Sequence, residues 1–246
     1  MLLAAGAGAL ELPAAPNGRI SEYEASSRLF GRAGVFEPLA DWTQRWQYAD
    51  LRPFRALTLG SYARVERHFK LGLFYRLQYG ARHNDDWLRD GQGLWFWRDA
   101  ARRLEHVLIL DATPRAQLGF LPGGAWVGSI KARFEHNFFN GQDILSLEPE
   151  LAWFWMNGLE PRATIFLRQQ TEFALNFGER NVWQRWWYLA ALWHAAPSIS
   201  MGPSIALRDE VWSTSSSFKS FSGTGAGYQT LFRAWVLGFT LVARLR

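Results

Sequence analysis

Residues 68–82 read HFKLGLFYRLQYGAR, and the stretch divides cleanly by parity. Phe69, Leu71, Leu73, Tyr75, Leu77, Tyr79 and Ala81 share one face; His68, Lys70, Gly72, Phe74, Arg76, Gln78, Gly80 and Arg82 share the other. Successive side chains point to opposite sides of a strand, so the repeat is two residues and not 3.6. Fifteen residues is long beside the ~5–6 usual in soluble sheets, whereas a tilted strand crossing a bilayer needs roughly 9–11 plus overhang. The stretch reads as a transmembrane β-strand, its Leu/Tyr face toward lipid and its Lys/Arg face toward a polar lumen.

The pattern recurs along the chain. Strands are expected at about 39–49, 54–65, 68–82, 103–118, 125–138, 144–156, 160–174, 182–195, 198–212 and 228–245. Asp50 to Pro53, Leu121-Pro122-Gly123-Gly124, Asn140-Gly141 and Asn157-Gly158 punctuate them. The expected fold is all-β: a monomeric, transmembrane, antiparallel up-and-down β-barrel at 39–246, of about ten strands with twelve as second choice. With the N-terminus periplasmic, the long connections 83–102, 139–143, 175–181 and 213–227 share the outer side, and the tight turns share the inner one. Residues 10–38 are poorly patterned, SRLFGRAGVF being their strand-like piece, and are expected to form a lead-in or an extra strand. Residues 1–9 resemble the end of a secretory signal, with Ala7-Gly8-Ala9 as a cleavage-type site and a mature start near Leu10.

Composition agrees. Apolar residues make up 48% of 246, yet no run approaches the ~18 that a transmembrane helix needs, which excludes a helical membrane protein. Aromatics reach 16%, with 14 Trp, and Trp and Tyr favour bilayer interfaces. The competing composition-level reading is a Trp-rich soluble β-sandwich, which predicts solubility without detergent. The formal charge of +5 is spread over alternating positions, so nucleic acid is not an expected partner. Four prolines, Pro114, Pro149, Pro161 and Pro203, fall in or at the ends of expected strands, where each removes a ladder donor. They are expected in overhangs or bulges.

The alternation over Leu39 to Leu245 resembles that of bacterial outer-membrane β-barrel proteins, and loosely that of the small barrels among them. The resemblance is architectural and rests on no motif. It implies the outer membrane of a Gram-negative-type bacterium, with lipid, lipopolysaccharide and the barrel-assembly machinery as partners. Such barrels usually end in an aromatic residue; this chain ends Ala243-Arg244-Leu245-Arg246.

The expected lumen-lining residues carry both signs: Lys70, Arg76, Arg103, Arg115, Lys131, Arg133, Arg162 and Arg168 against Glu105, Asp111, Glu135, Glu148, Glu150, Glu160 and Glu172. Lys131 and Arg133 are expected to face Glu148 and Glu150 across a hairpin. Two functions suit such a lumen. One is a narrow channel for passive passage of small polar or charged solutes. The other is a closed structural or surface barrel plugged by mutually satisfied charges, since small barrels are filled by their side chains. Asp85, Asp86 and Asp90, with Asp209 and Glu210, are expected at the extracellular rim. Omptin proteases carry acidic residues and a histidine there, which makes a rim-active hydrolase the third reading. Here no Asp-x-His follows the ninth strand, and His83 is the nearby histidine, so no catalytic residue is assigned. His106, His136 and His194 are expected on apolar faces, without metal-ligand spacing. No cofactor is expected: there is no Cys, and GTGAG at 223–227 precedes no amphipathic helix.

Overall fold

The computed structural model describes residues 20–47, 54–80, 85–89, 95–99, 103–122, 125–177, 182–212 and 229–245. The leader reading of 1–9, His83, Asp90 and the 213–227 connection lie outside them. Thirteen strands run in chain order: β1 Ile20–Phe30, β2 Phe36–Gln47, β3 Phe54–Glu66, β4 Phe69–Tyr79, β5 Asp85–Arg89, β6 Trp95–Asp99, β7 Leu104–Gln117, β8 Ala125–Asn137, β9 Asp143–Asn157, β10 Glu160–Ala174, β11 Val182–Ala196, β12 Ile199–Trp212 and β13 Gln229–Arg244. All except β5 and β6 form one closed barrel in the order β1-β13-β12-β11-β10-β9-β8-β7-β4-β3-β2. β5 and β6 pair only with each other, a hairpin within the connection between β4 and β7, which are themselves neighbours.

The barrel therefore has eleven strands, which corrects the expected ten or twelve. The even count assumed antiparallel pairing at the seam, but β1 and β13 pair in parallel, from Ile20 opposite Ala234 to Phe30 opposite Arg244. A parallel seam closes an odd number. The extra strand is β1, taken from the 10–38 segment; its outward face includes Ala25 and Ser27, so its sequence lacks the heavy alternation seen elsewhere. Counting it also moves the start of the barrel. Ile20 lies at the end that carries the connections 48–53, 80–103, 138–142, 175–181 and 213–228. The turns 31–35, 67–68, 118–124, 158–159 and 197–198 lie at the opposite end with Leu245. The chain thus begins the barrel at the long-connection end, contrary to the expected placement. Gly141 and Gly158 hold left-handed φ values of 69° and 63° in the Asn-Gly turns.

Following the registers once round the barrel returns to β1 about 14 residues further along, a strand tilt of about 40° and a backbone radius of about 11 Å. The prolines fit inside this lattice. Pro149 and Pro203 lie mid-strand with outward parity, which corrects their expected place in overhangs. The β9–β10 pairing lapses between Glu150/Arg168 and Leu147/Thr171, and β11–β12 between Ala190/Ser204 and Trp193/Met201, yet register is kept on both sides. Each proline faces its missing donor toward a local gap in the ladder. Pro161 sits at a β10 bulge.

The two faces of the wall differ in kind. Outward positions are apolar and open: Leu73 is 57% exposed, Leu189 51% and Phe239 51%. Outward charges among the described residues cluster near the ends, with Arg55, Arg185, Asp209 and Arg233 at the long-connection end and Glu66 at the other. Between them is an uncharged belt about 24 Å tall, from the strand rise and tilt. Trp46 and Trp235 border it above, and Trp126, Trp153, Trp155 and Trp193 below, Trp155 and Trp193 in contact at 6.3 Å. Inward positions are polar or tightly packed, and form the lumen.

Candidate functional site: the lumen

The long-connection end of the lumen is filled by one buried layer. Glu22, Gln184, Glu172, Ser146 and Arg208 have no exposed surface, and Arg45, Arg76, Gln78, Glu105, Glu135 and Asn137 are buried beside them. Opposite charges meet inside it. Arg208 Nη2 donates to Glu22 Oε1 at 2.5 Å, and Arg76 donates through both terminal nitrogens to Glu135 at 2.5 and 3.1 Å. Arg45 donates to Glu24 at 2.9 Å while its guanidinium lies 4.6 Å from the ring centre of Trp186, with that of Arg208 at 5.4 Å. Gln78 and Asn137 both donate to Glu105 at 2.8 Å. Val107, Ile109, Tyr62 and Phe74 pack one wall; Trp186, Ala206 and Val236 pack the other. Buried charges survive where they find opposite partners or hydrogen bonds.

Below this layer the lumen opens toward the short-turn end. Lys131 Nζ lies 2.6 Å from Glu148 directly across the β8–β9 ladder. Arg133 does not face Glu150, as the hairpin reading expected. Ser146 stands opposite it, and its guanidinium reaches the other way to Asp111 at 2.7 and 2.9 Å. Glu150 stands opposite Ser129 and accepts from Arg168 at 2.6 and 2.8 Å. Arginine is long enough to choose between two neighbouring strands, so adjacency in one hairpin does not fix its partner. Asp111 also accepts from the Tyr62 hydroxyl at 3.2 Å, and Lys70 Nζ sits 3.8 Å over the Tyr62 ring.

The remaining expected residues are placed as follows. Arg103 pairs with Glu105 at 2.7 Å at the long-connection end, and Glu172 accepts from Gln170 at 2.7 Å. Arg115 is exposed near the short-turn end and donates to the Arg67 carbonyl at 3.3 Å; Arg162 is exposed at the start of β10. Asp85 and Asp86 begin β5, apart from the barrel ladder. Asp209 has outward parity and is buried against Arg233 at 2.6 Å, with Arg185 opposite it in register. Glu210 follows in β12. Thus the acidic residues expected at the rim divide between a hairpin and the wall.

His194 lies on the face of β11 that also carries Trp186, Tyr188, Ala190 and Leu192. It faces inward, with Nε2 2.8 Å from Thr164 Oγ1 and Nδ1 2.8 Å from Ser200 Oγ. His106 and His136 do face outward, beside Tyr75 and Asp143 respectively. Among the described residues no group of three or more His, Asp and Glu is placed to hold a metal. Sequence reading also missed members of the lumen: Glu22, Glu24 and Arg28 lie in the 10–38 segment, expected as a lead-in or an extra strand, and Gln184 and Trp186 lie on β11, whose two faces are alike in polarity. Arg45, Asp41 and Arg208 were visible on polar faces but not singled out.

No family model, curated protein or solved structure matches the chain.

Proposed function

We propose that the chain is a transmembrane β-barrel of a bacterial outer membrane, closed across its lumen by the ion-paired layer at the long-connection end and serving as a structural or surface barrel. The observation that carries the reading is the inversion of the wall: charges and amides inside, and outside an uncharged apolar belt about 24 Å tall bordered by tryptophans, the dimension of a lipid-facing band. A soluble barrel presenting Leu73, Leu189 and Phe239 to water over that height would expose apolar surface far beyond the few hundred Å² usual for monomers. Outer-membrane lipid is the partner this belt fits.

The narrow channel for small solutes is the second reading, favoured by the chambers below the layer. It requires the layer itself to open.

Leu73→Arg tests the carrying observation. At mid-belt in a bilayer the substitution costs about 2–4 kcal/mol, whereas on a water-facing wall it stays within about 0.5 kcal/mol. Refolding into phosphatidylcholine vesicles, followed by heat-modifiable gel migration and denaturant titration, measures it. A soluble wild-type chain that ignores vesicles, or a neutral Leu73→Arg, overturns the membrane reading.

A further inference from the structure

Beneath the packed layer lie two adjoining chambers whose walls share Glu24, Arg28, Phe30, Arg168 and Tyr188. The inner chamber, about 180 Å³, has six cationic side chains in its wall: Arg28, Arg45, Arg76, Lys131, Arg133 and Arg168. Its carboxylates are three, Glu24, Asp41 and Glu148. The imbalance has a structural origin. Glu135 and Asp111, which bond Arg76 and Arg133, lie outside both walls, so these two guanidinium groups face the inner chamber with their counter-charges behind them; Glu150, which bonds Arg168, lies in the wall of the outer chamber. The outer chamber, about 280 Å³, has an apolar stripe of Phe30, Phe154, Phe166, Leu192, Ala190 and Val242 facing a polar side that includes Glu24, Glu150, Arg168 and Thr164, with Arg244 and the His194–Ser200 contact toward the short-turn end. A third hollow of about 400 Å³, lined by Phe30, Arg32, Glu37, Arg64, Pro197 and Arg244, forms the mouth at that end. Among the described residues, a throat with an apolar stripe adjoins the short-turn end, the electropositive chamber lies next to it, and the buried layer lies beyond.

We infer that this cavity binds a single-chain amphipathic anion, taken head-first from the short-turn end. A carboxylate or phosphate head suits the inner chamber, where guanidinium groups offer paired donors to either group. An unbranched apolar body suits the throat, whose volume corresponds to about nine water-sized groups. A cation of the same shape meets an excess of like charge at the inner chamber. Inorganic phosphate fills the chamber but leaves the aromatic throat wet. The inference rests on the barrel geometry and not on the bilayer.

Calorimetric titration of the refolded full chain, in phosphatidylcholine nanodiscs with empty discs as baseline, tests it. The probes are decanoate, decyl phosphate, decyltrimethylammonium and inorganic phosphate. The expected result is saturable binding of decanoate or decyl phosphate at one equivalent, no saturable binding of decyltrimethylammonium, and inorganic phosphate weaker by at least about tenfold, a 1.4 kcal/mol difference. Whichever anion binds more tightly identifies the head group. Arg168→Gln/Glu150→Gln removes one inward cation together with the carboxylate that would otherwise be left unpaired, and weakens binding by about tenfold. Leu192→Trp fills the throat and abolishes it. Equal binding of the cationic probe, absence of saturable anion binding, phosphate as tight as decyl phosphate, or affinity unchanged in both variants overturns the inference. If the wild-type chain proves soluble, the same titration is run without discs, so failure of the membrane reading and failure of the site remain distinct.

Discussion

Glu22→Gln isolates what holds the sealing layer together. Glu22 and Arg208 are both fully buried, 2.5 Å apart, on β1 and β12, with β13 between them. Glutamine keeps the size and one acceptor oxygen but removes the charge, so the buried Arg208 guanidinium loses the Glu22 carboxylate as a counter-charge. With charge centres about 4 Å apart and an effective dielectric constant near 20, the lost attraction is about 4 kcal/mol. Removal of one partner from buried pairs costs about 3–5 kcal/mol, in agreement. The predicted loss is therefore about 3–5 kcal/mol, read from reversible urea unfolding of the vesicle-inserted protein. Adding Arg208→Met removes the second charge while keeping an apolar stem against Trp186. The double variant is predicted to be more stable than Glu22→Gln alone, because the stranded charge rather than the missing contact dominates the loss. A cost under about 1 kcal/mol for Glu22→Gln, or additive costs in the double variant, would refute the view that this layer is a desolvated, charge-matched seal.

Two further perturbations address other parts of the barrel. Lys131→Glu sets a second carboxylate beside the buried Glu148 and should cost at least about 3 kcal/mol, while Lys131→Glu/Glu148→Lys should recover more than half of it in the same unfolding assay. Gly202→Ala should cost about 1–3 kcal/mol or block refolding outright, because a Cβ there overlaps the Ala191 carbonyl oxygen where β12 approaches β11 beside Pro203. A neutral result would show that the pairing lapse at Pro203 is wide enough for a side chain.

Most of the wall was legible in the sequence because membrane-type alternation is binary and long. In β4 the polar set Lys70, Gly72, Phe74, Arg76 and Gln78 turns inward, and the Leu/Tyr set turns outward, as the period of two requires. The failures have local causes. β1 was legible only as one alternative for residues 10–38, because Ala25 and Ser27 dilute its outward face, and the odd strand count and the parallel seam were not read from it. β11 could not be phased because Trp186, Tyr188, Ala190 and Leu192 make its inward face as apolar as its outward one. That face is tolerated in a charged lumen because Arg45 and Arg208 lie over the Trp186 ring. The same ambiguity left the side of His194 open. In the lumen, which residues face inward was readable, but which charges pair was not: Arg133 bonds Asp111 and not Glu150 because the barrel gives each strand two neighbours.

Single-channel recording in a planar bilayer puts the central claim to its most direct test. Wild-type protein, shown to be inserted by its heat-modifiable migration, is predicted to be silent at all applied voltages, because Glu22, Arg208, Gln184, Arg76 and Glu135 are buried together in one layer across the long-connection end. A steady unitary conductance, altered in selectivity by Lys131→Glu or Glu148→Lys, would contradict the sealed lumen and establish instead a pore through these same charged residues.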